Sequence, residues 1–321
     1  MVQQSYSQSK DAGLLQRAAY AWRLGLMYLE RISGSADFSG LQADIDFYRA
    51  AYLRETGKDF GQARMLELGF GQRPFRLILL QSLGHEVRGI DLDRPLYRID
   101  PPTVVSLFRS NGSFRAIKSL FRALVFDRIE YRALADYLSR HHGKRFRFDP
   151  TALVTGDLSR PEPWRSAGAS FDFIYSEDVF EHIPRHLLPN VVSLMARSMS
   201  DRSLAVITPM IFTGISGGHD IDWYPHRVDV EDVSRTPAWG HLTGEAVLGD
   251  THLNRLTRKE FRDLFMAEFD IVQEEETRPD LGRRHLTEER RQALQAFNEQ
   301  ELFSNTVRFV LRKKRTAVWS C

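Results

Sequence analysis

The sequence predicts an α/β fold: an open, doubly wound, mostly parallel sheet of seven strands, with N-terminal helices and a helical insertion. Two observations carry this. Residues 65–91 read as strand, glycine turn, helix and strand within about 30 residues, the βαβ unit whose strands must run parallel. Beyond it, short apolar runs at 151–155, 171–175, 203–208, 269–274 and 305–311 alternate with helical patterns near 185–199 and 257–267. Alternation of that kind places helices on both faces of the sheet.

In chain order, Leu14, Leu15, Ala18, Ala19, Trp22, Leu26, Tyr28 and Leu29 recur at helical spacing over 10–33. Ser33-Gly34-Ser35 stops this helix, and a second should pass through Phe47, Ala51 and Leu53. The two make an N-terminal helical extension, residues 1–60, expected to cover one edge of the sheet. The main domain then runs from 61 to 321. Met65-Leu66-Glu67-Leu68 leads into Gly69-Phe70-Gly71, a helix carries Phe75, Leu77, Ile78, Leu79, Leu80 and Leu83, and Glu86–Asp91 forms the second strand. Thr257 and Glu260 form a capping-box pattern that opens a helix. The last two strands, with a polar helix over about 287–301 between them, suit a sheet edge with one reversed strand. Two segments exceed what such a sheet needs, 94–150 and 209–256, and long insertions of this kind are usually lids or binding loops.

The totals fit an ordinary globular protein: 321 residues, 42% hydrophobic and 27% charged, with a formal charge of +2. The one cysteine, Cys321, allows no intramolecular disulfide and no cysteine metal site, which suits a reducing compartment. The first residues, MVQQSYSQSKDAG, lack the basic and apolar regions of a secretory signal, and no stretch approaches the ~20 apolar residues of a membrane span. A cytoplasmic location is the expectation.

The first glycine turn is built for a ligand. Glycines let backbone amides approach closely, and the following helix adds a partial positive field. Asp91 ends the second strand twenty residues after Gly71, the spacing of an acid that holds ribose hydroxyls. A dinucleotide reading fits poorly: Glu67 would bring a negative charge beside a pyrophosphate, Pro74 stands where the third glycine should be, and Gly156-Asp157-Leu158 after the next strand offers an acid to an adenine amino group.

With these motifs the sequence resembles the class I S-adenosylmethionine (SAM)-dependent methyltransferases, which have a Rossmann-like sheet. The resemblance covers 64–93 and 151–208 and is weaker toward the C-terminus; its motifs are similar to those of type 11 methyltransferases, with a faint similarity to enzymes of surface-glycan assembly. It implies SAM as cofactor. Glu67, Gly69, Phe70 and Gly71 would surround its amino-acid part, Asp91 the ribose with Leu92 beside it, and Asp157 with Leu158 the adenine. The stretch from Phe171 to Ile183, with Ser176 and Glu177, resembles the fourth motif, beneath the methyl group. Arg73 occupies a position where the family often has a third glycine.

Methyl transfer from a sulfonium is an in-line displacement, so the protein must align the nucleophile, exclude water and handle one proton. Histidine is the natural base near neutral pH. His182, just past the fourth strand, and His219, in Ser216-Gly217-Gly218-His219-Asp220-Ile221-Asp222-Trp223-Tyr224-Pro225-His226, are the catalytic candidates. Asp220, Trp223, Tyr224, His226 and His241 are candidate acceptor contacts, with Gly217-Gly218 freeing the backbone. The alternative is a structured loop whose histidines cap turns and whose aromatics fill the core. The spacing of His219, Asp220 and His226 matches no strong ligand pattern, so no metal is assigned.

Residues 94–150 hold twelve Lys/Arg against five Asp/Glu. Phe114, Ile117, Phe121, Leu124 and Val125 recur at helical spacing, with Arg115, Lys118 and Arg122 on another face, a pattern shared by packed helices and by helices that lie on anionic membranes. No nucleic-acid module is visible and no nucleic-acid partner is expected. Ser176-Glu177-Asp178-Val179 replaces the Asn/Asp-Pro-Pro-aromatic tetrapeptide of enzymes that methylate amino groups of DNA or protein amides. The expected activity is O-methylation of a polar small molecule or glycan; N-methylation of a natural product and a non-catalytic SAM-fold scaffold are the alternatives. A homodimer and a peripheral membrane contact through 94–150 stay open as associations.

Overall fold

The computed structural model describes residues 38–96, 128–230, 235–245 and 252–314, with isolated positions between 104 and 127. The helix expected over 10–33 and the amphipathic pattern of 114–125 lie outside the described residues.

Helix α1 (Ser39–Thr56) ends at Gly57, whose left-handed φ of 70° lets its amide close on the Leu53 carbonyl. It buries Ile45, Tyr48, Ala51 and Tyr52, while Leu53 stays exposed. Strand β1 (Arg64–Leu68), helix α2 (Phe75–Leu83) and strand β2 (Glu86–Asp91) form the expected βαβ unit. Leu77, Ile78, Leu79 and Leu80 of α2 are fully buried, each contributing roughly 1.5–3 kcal/mol by burial. Helix α3 (Arg128–His142), the described helix of the basic insertion, packs its Tyr131 ring edge-on against Phe75 at 5.4 Å. Strand β3 (Leu153–Thr155) is shorter than expected because Pro150–Ala152 form a 3-10 turn capped by Asp149. Helix α4 (Pro161–Ala167) and strand β4 (Phe171–Glu177) follow. The Tyr48 ring lies 5.3 Å from both Phe173 and Tyr175, so α1 covers the face of the sheet over β4 rather than an edge.

Helix α5 (Leu188–Ser198) runs directly into β5 (Met199–Thr208). After the long loop come α6 (Gly240–Thr243), α7 (Arg258–Phe265) and β6 (Phe269–Glu276). The polar helix expected over 287–301 is two short ones, α8 (Glu288–Ala293) and α9 (Glu299–Phe303). The Asn298 side chain accepts the Glu301 amide and restarts the helix there. Strand β7 (Val307–Lys313) is the last element among the described residues.

The seven strands lie in the order β3-β2-β1-β4-β5-β7-β6, with β1 parallel to β2 and β4, and β2 parallel to β3. The antiparallel bridge between Met210 and Thr306 fixes β7 as the reversed strand. It sits one place in from the edge, between β5 and β6. This mostly parallel α/β sheet is the Rossmann-like architecture implied by the resemblance to class I methyltransferases. The chain divides into two compact units: the described residues of 38–176, 193–206 and 312–314 form one, and those of 177–192 and 207–311 the other. No helix among the described residues is long and apolar enough to cross a membrane.

Candidate functional site

Within the first unit, the parallel register brings the carboxyl ends of β1, β2, β3 and β4 together. Leu68 lies opposite Ile90, Glu67 opposite Gly89 and Tyr175, and Asp91 opposite Thr155. Gly69 and Gly71 adopt φ of 77° and 65°, where any side chain would be strained. The Gly71 amide donates to Asp91 Oδ2 at 2.7 Å, and the Asp93 amide donates to Asp91 Oδ1 at 2.8 Å. Asp91 therefore ties the glycine turn to the end of β2. The Gly156 amide, at the end of β3, donates to the Asp91 carbonyl at 2.8 Å, so three strand ends share one backbone network. Asp157 caps its own turn by accepting the Ser159 amide at 2.8 Å.

Other residues of the expected cofactor motifs divide into supports and surfaces. Glu67 is buried; it accepts the Tyr175 hydroxyl at 3.2 Å and lies 3.7 Å from the Arg76 guanidinium, the partner such a charge requires. The Ser176 hydroxyl donates to the Leu68 carbonyl at 2.8 Å. Phe70 is buried and packs on Gly89, where a β-carbon would fall 2.5 Å from its ring; what Phe70 leaves to a ligand is its backbone. Leu158 is buried too, its carbonyl accepting the Trp164 indole N–H at 2.9 Å, whereas Leu92 is exposed at the end of β2. Arg73, the departure from the family pattern, pairs with Glu130 of α3, so the insertion clamps the turn where a glycine is often found.

The second unit holds a cluster that the sequence spacing did not reveal. A 3-10 turn, Phe180–His182, follows β4 and presents Glu181 and His182; the loop after β5 supplies His219. One ligand-type atom of each lies within 4.8 Å of the others. The His182 and His219 rings meet edge-on at 4.9 Å. His182 Nδ1 donates to the His252 carbonyl at 3.0 Å, which leaves Nε2 with its lone pair, 4.0 Å from Glu181 Oε1. Nε2 of His219 is buried without a hydrogen-bond partner, and the buried Glu181 carboxyl has no side-chain donor, only the nearby amides of Glu181 and Met210. Burial pushes the Glu181 carboxyl up to about 8, against the nearby amides of Glu181 and Met210 and with help from Glu177. Burial pushes His219 down to about 3, with His182 and His241 adding to the shift, and it lowers His182 as well. Asn254 holds the turn in place: its Nδ2 donates to the Phe180 and Ile183 carbonyls at 2.7 and 2.9 Å, and its amide to the Glu181 carbonyl at 2.8 Å.

Glu177, the last residue of β4, accepts the Thr208 hydroxyl at 3.1 Å. His219 has φ of 53°, a conformation uncommon outside glycine. Gly217 and Gly218 do not loosen the backbone as expected. A β-carbon on Gly217 would lie 2.3 Å from the Phe212 carbonyl oxygen, and one on Gly218 2.5 Å from the His241 ring, so both permit close packing. His241 Nε2 donates to the Phe212 carbonyl at 2.8 Å. Asp220 accepts the Asp222 amide and the Thr236 hydroxyl, and Trp223 is buried with its indole N–H on Thr236. Tyr224 is half-buried and His226 exposed.

No protein-family model matches the chain, and no curated protein matches it. Among solved structures, it is similar to a SAM-dependent methyltransferase from Archaeoglobus fulgidus, at 14% identity over 90% of this chain and 99% of that one, with a TM-score of 0.45. A TehB-like SAM-dependent methyltransferase from Corynebacterium glutamicum is similar at 15% identity over 92% and 100% of the two chains, with a TM-score of 0.39. Phosphoethanolamine N-methyltransferase 2 of Haemonchus contortus, solved in complex with S-adenosyl-L-methionine, is similar at 14% identity over 91% of this chain and 57% of that one, with a TM-score of 0.43.

Proposed function

We propose that this chain is a SAM-dependent methyltransferase that transfers the methyl group to a hydroxyl of a polar small molecule or glycan. One observation carries the reading: a left-handed glycine turn and the acid Asp91, locked together by the Gly71 amide, stand at the carboxyl ends of adjacent parallel strands. In such sheets ligands bind outside those ends. In the proposed reaction the acceptor oxygen forms a bond to the methyl carbon as the carbon–sulfur bond breaks. SAM bound there would supply the activated methyl group and depart as a neutral thioether, with the hydroxyl proton passing to water.

The chain's own part is to bind and orient. Gly69, Gly71, Asp91, Leu92, Asp157 and Leu158 are proposed to hold the cofactor, with Glu67, Phe70 and Ser176 shaping the turn beneath it. On the acceptor side, His182 and His219 are neutral and offer lone pairs, which suits a hydroxyl that donates a hydrogen bond. Pushed down to about 3, His219 is a weak base on its own and is better placed to orient the acceptor than to take its proton. Of the candidate acceptor contacts, His226 is exposed and Asp220, Tyr224 and His241 are half-buried, so these four keep surface for an acceptor while Trp223 is buried.

Calorimetry with SAM and with its demethylated product tests the reading, and no heat in either titration favours the non-catalytic scaffold. Asp91→Ala should weaken SAM binding by more than tenfold, since charge-assisted hydrogen bonds contribute about 1.5–3 kcal/mol each. His219→Gln should keep SAM affinity and lower turnover; full activity removes it from the mechanism.

A further inference from the structure

We propose that Glu181, His182 and His219 form a binding site for one divalent first-row transition-metal ion. The cluster has the donor set of such a site: two imidazoles and one carboxylate, supplied by a turn and a loop far apart in sequence. Two independent observations point to a ligand. The Glu181 carboxyl is 3% exposed and has no side-chain donor or cation beside it, only the nearby amides of Glu181 and Met210. Nε2 of His219 is buried without a partner. An ion at this point satisfies the His219 nitrogen and supplies the opposite charge that a buried carboxylate lacks.

His182 is already arranged as a ligand. Metal-bound histidines almost always donate their other ring N–H to a carbonyl or carboxylate, which fixes the tautomer and aims the free nitrogen. The bond from His182 Nδ1 to the His252 carbonyl does this. Asn254 fixes the turn beneath, and Glu177 and Asp178 add negative charge around the cluster. Ligands about 2.1 Å from an ion stand roughly 3–3.5 Å from one another, so atoms within 4.8 Å close on it by shifts of less than about an ångström. Nitrogen donors favour zinc, iron, cobalt or nickel over magnesium, calcium or manganese, which prefer oxygen ligands. Three protein ligands leave positions open. Resting on the methyltransferase reading, an acceptor oxygen would take one of them in place of direct hydrogen bonds to His182 and His219, and the ion would favour its deprotonated form.

The full-length protein, stripped with a chelator, is dialysed against Zn²⁺ or Co²⁺ and the bound metal counted. One ion per chain is expected, with visible d–d absorption from the cobalt form; the absence of uptake overturns the proposal. Glu181→Gln, which preserves shape, and His219→Gln should each weaken binding at least tenfold, and unchanged stoichiometric binding in both overturns it. X-ray absorption of the zinc-loaded wild type decides without variants: two imidazoles are expected, and a shell of oxygens alone rejects the site. SAM calorimetry on the metal-free protein is run beside it. Loss of SAM binding with ion uptake intact would sink the methyltransferase reading alone, and the reverse would sink only the metal site.

Discussion

His241 shows how a single loop histidine acquires a structural role. Burial pushes it down to about 4, and the carbonyl of Phe212, the charge of Asp220 and the opposing charge of Arg255 adjust that value. Its ordinary value is about 6.5. Above that pH the group is neutral folded and unfolded, and it contributes no pH dependence. Between about 6.5 and 4 the unfolded chain takes up a proton that the folded chain refuses, so stability falls as pH drops through this window. His241→Gln should flatten that part of the profile, as measured by urea unfolding between pH 7 and 5; an unchanged slope would locate the acid sensitivity elsewhere. At this scale the sequence was readable for residues tied to strand ends, such as Gly69, Gly71 and Asp91. It placed Glu181 only within the stretch resembling the fourth motif, with no role of its own, and was silent on Asn254, which reaches Phe180 across 74 positions of chain. Nothing local in the sequence marks a partner brought in by a returning loop.

Elements were legible where a cap or a period declared them. Thr257 accepts the Glu260 amide, and Glu260 reaches back to the Thr257 amide, the capping box that the pattern implied for α7. Thr257→Ala should cost about 1 kcal/mol, read as a lower urea midpoint with an unchanged slope. A change in slope would mean that α7 and its neighbours had ceased to unfold with the rest. The misjudged elements were those decided by competition between neighbours. Asn298 interrupts a continuous polar helix, and α1 was expected at an edge because a hydrophobic stripe does not say which surface it will meet. Tyr48 and Tyr52 complete an aromatic cluster with Phe60 and Phe173, and that cluster put α1 over the sheet face.

For the molecule as a whole, ligand binding and folding are one equilibrium. A ligand that binds only the native state, present at a hundred times its dissociation constant, adds about 2.7 kcal/mol to stability. SAM at that excess should raise the urea midpoint accordingly, and the Asp91→Ala variant, binding more than tenfold more weakly, should gain about half as much or less; a missing shift in the wild type speaks against cofactor binding. The alternation of strands and helices made the sheet foreseeable, but the order of its last strands did not follow from alternation. Because β7 lies between β5 and β6, β6 has no neighbour in the sheet until residues 307–313 have been synthesised. A chain emerging from the ribosome therefore carries β5 as an open edge, a template for unwanted pairing, through more than a hundred residues of further synthesis. A lesion in the last strand would leave β6 without a neighbour and β5 with a permanently open edge, and its expected result is aggregation during synthesis rather than a trimmed but working protein.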